Sequence, residues 1–142
     1  MSIAVSVLDH DPELGAVLTA AEFALAREHA FARVVRYEKG DWPVSHTSFS
    51  ASGLGLLVLD GLLVRKVTVG ERTCAELLGP GDVVQPWVQI EPDSSIGADA
   101  NCDVAQALRV AVLDAAFVSR LARWPAITGA VAGRLSTRAH WL

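Results

Sequence analysis

LGLLVLDGLLVRKVTVGERTCAELLGPGDVV, residues Leu54 to Val84, decides the fold. Three apolar runs are punctuated by turn signals. Leu54 to Leu59 is continuously apolar, as suits a strand buried on both faces. Asp60-Gly61 has the chemistry of a two-residue hairpin turn, where glycine supplies positive φ without steric cost. In Leu62 to Val69, Val67 and Val69 flank Thr68 and follow Lys66, so one face should be buried and one wet. Gly70-Glu71 suits a turn with glycine at its first central position. Gly79-Pro80-Gly81-Asp82 turns the chain again after the third run. Short strands between glycine turns predict a β-roll.

Working outward, the upstream segment opens with apolar Ile3 to Leu8, broken at His10-Asp11-Pro12 because proline cannot continue a ladder. Thr19-Ala20-Ala21-Glu22 has capping-box spacing and predicts a helix from about Ala20 to Ala30, burying Phe23 and Leu25 or Ala26. Phe31 to Tyr37 alternates as a strand ended by Lys39-Gly40-Asp41, and Ser45 to Gly53 is a polar connection without a GxSxG elbow. Downstream, Gln85 to Asp103 is rich in Pro, Gly, Asp and Ser and predicts a long loop. Val104 to Leu113 predicts the last strand, with Arg109 pointing outward. Asp114 should cap a helix to about Arg123 with Phe117, Val118 and Leu121 inward, and Pro125 should open another.

Ile127, Val131, Leu135 and Leu142 form an apolar stripe on that last helix, with Arg134 and Arg138 beside it. Gly129 and Gly133 are four apart and permit close helix approach. No Gly, Asn or Pro stop signal precedes Trp141-Leu142. The expectation is a dimer helix over 124–142 that continues beyond Leu142, following a roll domain over 1–123; the alternative is docking of the helix on its own domain.

Composition narrows the function classes. Of the 142 residues 51% are hydrophobic and 20% charged, which predicts a folded domain with a core of its own. The net charge of −4 has the wrong sign for a stand-alone nucleic-acid binder. Asp60, Arg65 and Lys66 interrupt the best membrane candidate, and no signal peptide is read at the N-terminus. A cytoplasmic location is expected. Cys74 and Cys102 lie in predicted strands without a CxxC spacing and are expected to be buried free thiols. His10, His29, His46 and His140 are isolated, so no cupin-type metal set is read. Two cysteines are too few for a four-cysteine iron–sulfur cluster, and GPGD lacks the lysine of a phosphate loop.

LLVLDGLLVRKV (Leu56 to Val67), ELLGPGDVVQPW (Glu76 to Trp87), VAVLDAAF (Val110 to Phe117) and the Trp124-Pro125 helix together resemble the sensory domain of Crp/Fnr-type transcription regulators, over roughly residues 30 to 142. The resemblance implies a mainly β fold with flanking helices: a cyclic-nucleotide-binding-like β-roll, or jelly roll. It implies a homodimer through the C-terminal helix, a small-molecule effector, no catalytic residue, no cofactor, and DNA binding only through a domain not in this chain. Relatives that bind cyclic nucleotides follow Gly-Asp with Gly-Glu for the ribose and later carry Arg-Ser/Thr-Ala for the phosphate. Here Gly81-Asp82 leads through Val83 and Val84 to Gln85-Pro86, and Asn101-Cys102-Asp103 stands near the arginine element. A buried phosphate needs a cation or oriented N–H donors, while Asp93, Asp99 and Asp103 make the loop acidic and Trp87 is large enough to fill part of a pocket. Standard cyclic AMP or cyclic GMP binding is therefore not expected. The candidate ligand residues are Asp82, Gln85, Pro86, Trp87, Asn101, Cys102 and Arg109, the last as a substitute cation. A ligand-free dimerisation module with a plugged pocket is the first alternative, and a cupin-like small-molecule binder the second.

Overall fold

The computed structural model describes residues 3–41, 53–84 and 98–141, with the backbone alone at 41, 67–69, 98–101 and 135–141. Strand β1 (Ile3–Ser6) runs into a one-turn helix α1 (Val7–His10) and a 3-10 turn (Pro12–Gly15), followed by α2 (Ala20–His29). Then come β2 (Phe31–Tyr37), β3 (Gly40–Asp41), β4 (Gly55–Val69), β5 (Arg72–Leu78), β6 (Val83–Val84) and β7 (Ala98–Leu113). Helices α3 (Ala115–Arg120) and α4 (Pro125–Trp141) follow. The strands form one antiparallel sheet in the order β1-β2-β7-β4-β5, with β3 on β7 and β6 on β4. The mainly β architecture with flanking helices agrees with the sequence.

Both faces of the central strands are buried, as the unbroken apolar run requires. Leu57 and Leu59 of β4 and Ala111 and Leu113 of β7 join a core with Val7, Leu8 and Leu14, Ala26 of α2, Phe117 and Leu121, and Ile127 and Val131 of α4. Leu56 and Val58, with Val110 and Val112, face the other way into a second core closed by Leu63, Leu78, Val84, Val104 and Leu108. That second core draws only on strands, so it marks the inside of the roll. Val35, Tyr37 and Cys102 pack at its edges.

Asp60-Gly61 is not a hairpin turn. β4 runs through it, and its register against β7 shifts at Asp60 and again at Leu62. Gly61 has φ +97°, and a Cβ there would lie 2.2 Å from the carbonyl oxygen of Ala107. A glycine with positive φ serves a bulge as well as a turn, so the local signal was right and its use was not. Gly70-Glu71 does make the two-residue connection, joining Val69 to Arg72 with Gly70 at φ +63°. Gly79-Pro80-Gly81-Asp82 forms a type II turn: Pro80 takes the second position, Gly81 has φ +92°, and Asp82 N donates to Gly79 O at 3.0 Å.

The capping box is present, with Glu22 N donating to Thr19 Oγ1 at 3.2 Å and Thr19 N to Glu22 Oε1 at 3.4 Å. Within α2, Ala26 is buried, Phe23 partly so, and Leu25 is 40% exposed, so Leu25 is not the inward residue. The Ile3 to Leu8 segment divides into a strand and a helical turn rather than one strand. Gly40–Asp41 pairs with Val104 and Asp103 instead of only ending β2. β7 begins at Ala98, six residues before the expected Val104, because pairing with Val64–Val69 overrides the turn-forming composition there. Asp114 Oδ1 accepts from Phe117 N at 2.9 Å, capping α3 as expected, although α3 stops at Arg120. Residues 42–52 and 85–97, which hold most of the Ser-rich connection and most of the long loop, lie outside the described residues.

Gly61→Ala should destabilise the domain by about 2–4 kcal/mol, since it combines positive φ with a clash against backbone. Urea denaturation followed by circular dichroism measures this, and Gly70→Ala, whose Cβ would meet nothing within 4 Å, should cost less.

Candidate functional site

Among the described residues the strands enclose a shared apolar interior, and the site is built from there. Layers of side chains follow the register. Val112, Leu56 and Val84 form one end, and Val110 pairs with Val58. Beyond the bulge, Leu78, Leu63 and Val104 stand in a row across β5, β4 and β7. One step further along the same face, Glu76, Arg65 and Cys102 occupy the next row, through the pairs Arg65–Glu76 and Arg65–Cys102. Among the described residues no polar or charged side chain is fully buried, and the interior up to Leu63 is apolar.

Cys102 is half-buried and packs against this interior. Burial pushes its thiol pKa up; the Arg65 guanidinium opposes this, and Asp103 and Glu76 reinforce it. Burial likewise raises the Tyr37 hydroxyl, at the edge of the same core. Cys74 is exposed, contrary to the expected burial, and both cysteines are free. The pairs Val67–Cys74 and Arg65–Cys102 set the two thiols on opposite sides of β4 and two positions apart, beyond disulfide reach.

The residues anticipated for a ligand are only partly brought together. Gln85, Pro86 and Trp87 lie outside the described residues. Asn101 pairs with Lys66 in the ladder. Asp82 accepts from Gly79 N at 2.8 Å and so closes its own turn. Arg109 sits between inward Leu108 and Val110 and faces the outer side, where Nε donates to Asp60 at 2.6 Å. It is 38% exposed, as its outward reading requires, and is not placed to supply a cation to the interior. Arg65, not among the anticipated residues, shares the inner face with Cys102. Its signal was the bulge: a one-residue shift exchanges inner and outer faces, so Leu63 and Arg65 turn inward after it and Lys66 outward.

A second feature joins three distant segments. Arg134 of α4 donates to both oxygens of Asp11, at 2.5 and 2.9 Å, and to Gly81 O at 2.6 Å. Glu13 lies 3.8 Å away. The Arg134 and Asp11 side chains are 25% and 13% exposed. The Asp11 hydrogen bonds raise the Arg134 pKa, against the effect of burial. Arg134 therefore fastens α4 to the start of the 3-10 turn and to the turn that precedes β6.

Ile127 and Val131, expected to face a dimer partner, are fully buried in their own domain's core. An apolar stripe signals burial without saying against what, and here the docking alternative holds for these two residues. Among the described side-chain positions of α4, Pro125, Gly129, Ala132 and Gly133 are exposed. The side chains of Leu135 and Arg138, and the whole of Leu142, lie outside the described residues. Among the described residues no helix is long and apolar enough to cross a membrane, and no group of His, Cys, Asp or Glu is arranged to hold a metal ion.

The sequence matches no family model and no curated protein. Solved structures do match. A CooA variant from Carboxydothermus hydrogenoformans superposes with TM-score 0.55 at 17% identity over 87% of this chain and 76% of that one. Thermus thermophilus catabolite activator protein gives 0.53 at 21% identity over 89% and 58%. CprK in complex with o-chlorophenolacetic acid gives 0.52 at 9% identity over 78% and 44%. The fold is the cyclic-nucleotide-binding-like β-roll that these structures share. At these identities the likeness is one of fold.

Arg134→Ala should destabilise the domain by about 2–4 kcal/mol, because it leaves the covered Asp11 carboxylate and the Gly81 carbonyl without their donor. Arg134→Lys should recover part of this, keeping the charge and losing the fork. Removal of the well-exposed Arg36–Glu38 pair, at 2.9 Å, should leave the denaturation midpoint unchanged within error.

Proposed function

We infer that this chain is the sensory domain of a Crp/Fnr-like transcription regulator, without catalytic activity and working in the cytoplasm. Its effector is a small, largely apolar molecule held inside the roll, and not a cyclic nucleotide. The observation that carries this reading is the apolar inner core, bounded by Leu63, Leu78, Val104 and Leu108. Ribose and purine groups against those walls would surrender hydrogen bonds to water without replacement, at several kcal/mol. The Gly-Glu pair is missing after Val84, and the family's phosphate arginine has Cys102 or its neighbours in its place. Arg109, the substitute considered from sequence, is held on the outer face by Asp60.

The signal in this reading leaves through the helices after Asp114. Arg134 supports it, being bonded to the carbonyl of Gly81 in the turn that bounds the roll. Gly129, Ala132 and Gly133 give α4 a flat exposed strip on which a second copy can pack closely. DNA would be contacted only by a domain outside this chain.

Isothermal titration with cyclic AMP and cyclic GMP should give no heat up to about 1 mM ligand. Micromolar binding of either would overturn the reading of the interior. Light scattering on the eluting domain should give the mass of a dimer, and Gly133→Leu should return it to a monomer.

A further inference from the structure

Helix α4 is held to the rest of the chain by two kinds of contact. Ile127 and Val131 are buried in the helix-covered core. Beyond Val131 the described side chains change character: Ala132 and Gly133 are exposed, and Arg134 reaches back to Asp11 and Gly81. We propose that Arg134 is a latch. It closes the part of α4 from Arg134 onward against the roll, with residues 129–133 as the hinge, and it responds to the Gly79-Pro80-Gly81-Asp82 turn. Such a latch lies on the helix through which the proposed signal leaves, and it closes with or without an effector.

Three features lead there. First, both posts of the latch are fixed. Asp11 N donates to Val7 O at 2.8 Å, and Asp11 O accepts from Leu14 N at 3.2 Å; Val7 and Leu14 are buried in the core. On the other side Gly81 N donates to Val58 O at 2.9 Å, and Val58 belongs to the inner core. The free member is therefore the helix. Secondly, the helix is weakest next to the latch. Gly129 and Gly133 bracket Val131, and glycine gains more backbone freedom on leaving a helix than any other residue. A Cβ at either position would meet nothing within 4 Å, so no close approach inside the chain requires a glycine there. Thirdly, the bond to the turn is directional. Hydrogen bonds weaken steeply as their angles are lost. Gly81 is the third residue of a type II turn, at φ +92°. A change of its dihedrals swings the carbonyl away from Arg134 and leaves Asp11 as the remaining post.

The test is amide hydrogen exchange, followed residue by residue on the full chain without ligand. It compares the parent with Arg134→Gln, Gly81→Ala and Gly70→Ala. Gly81→Ala strains the turn but keeps every donor and acceptor of the latch, since its Cβ would meet Asp11 and Arg134 in ordinary contact at 3.6 and 3.7 Å. Gly70→Ala puts the same kind of strain into the β4–β5 connection, where a Cβ meets nothing within 4 Å. In Arg134→Gln, exchange at residues 134–141 should accelerate by about 10-fold or more beyond any acceleration at residues 126–131 and in β4 and β7. Gly81→Ala should give the same pattern to a smaller degree, and Gly70→Ala should not give it. Arg134→Lys should keep part of the protection, and it replaces Arg134→Gln if circular dichroism shows that variant unfolded. Equal acceleration throughout the chain in Arg134→Gln would make Arg134 a staple of the whole domain and overturn the latch. No selective effect of Gly81→Ala, or the same effect from Gly70→Ala, would overturn its link to the turn. Protection at residues 134–141 that rises with protein concentration would come from a second copy, and would overturn the latch as well.

Discussion

Everything in this fold hangs on the pairing of β4 with β7, two long strands joined from Gly55–Leu113 to Val69–Ala98. Each contributes alternate apolar residues to both cores, so the same ladder separates the helix-covered core from the interior of the roll. A strand buried on both faces has no polar alternation to fix its register; the register must come from elsewhere. Here it comes from the bulge at Asp60-Gly61. Ala107 and Leu108 approach so closely there that only glycine fits, and the outward Asp60–Arg109 pair marks the same point.

That bulge also decides which chemistry the interior contains. Before it, the even-numbered Leu56 and Val58 face inward; after it, the odd-numbered Leu63 and Arg65 do. Without the extra residue, β4 would turn Lys66 inward and Arg65 to solvent. One inserted residue thus decides that Arg65, and not Lys66, shares the face of Leu63.

The sequence was legible where local chemistry has one use. The unbroken Leu54 to Leu59 run, the Thr19–Glu22 capping box, the Gly79–Asp82 turn and the Asp114 cap each appear in the structure as read. It was illegible where one signal serves two structures. Glycine with positive φ suits turns and bulges equally, and an apolar helical stripe suits a partner subunit or the chain's own core. The Asn101-Cys102-Asp103 stretch reads as loop by composition, yet ladder pairing with β4 holds it in a strand. Of the candidate ligand residues read from sequence, Cys102 lies on the inner face; Arg65 was not among them, because its facing depends on the bulge that was mistaken for a turn.

The ion pairs of the molecule differ in what they can do. Arg27–Asp9 and Arg36–Glu38 are exposed, where solvent screens the attraction and ordering two side chains offsets much of it. Arg134 is different in kind. It is partly covered, forked onto Asp11, and bonded to the Gly81 carbonyl, which moves only if the type II turn moves. Asp82, the last residue of that turn, receives the Val58 amide of the inner strand through its carbonyl, and Gly81 N donates to Val58 O. A continuous chain of bonds therefore runs from Val58, whose side chain lies in the inner core, through the turn to Arg134 and α4. A ligand changes the position of α4 only to the extent that it binds one arrangement of this chain better than another. The geometry supplies a short route by which a change at the inner wall reaches the helix, with each link a hydrogen bond between named groups.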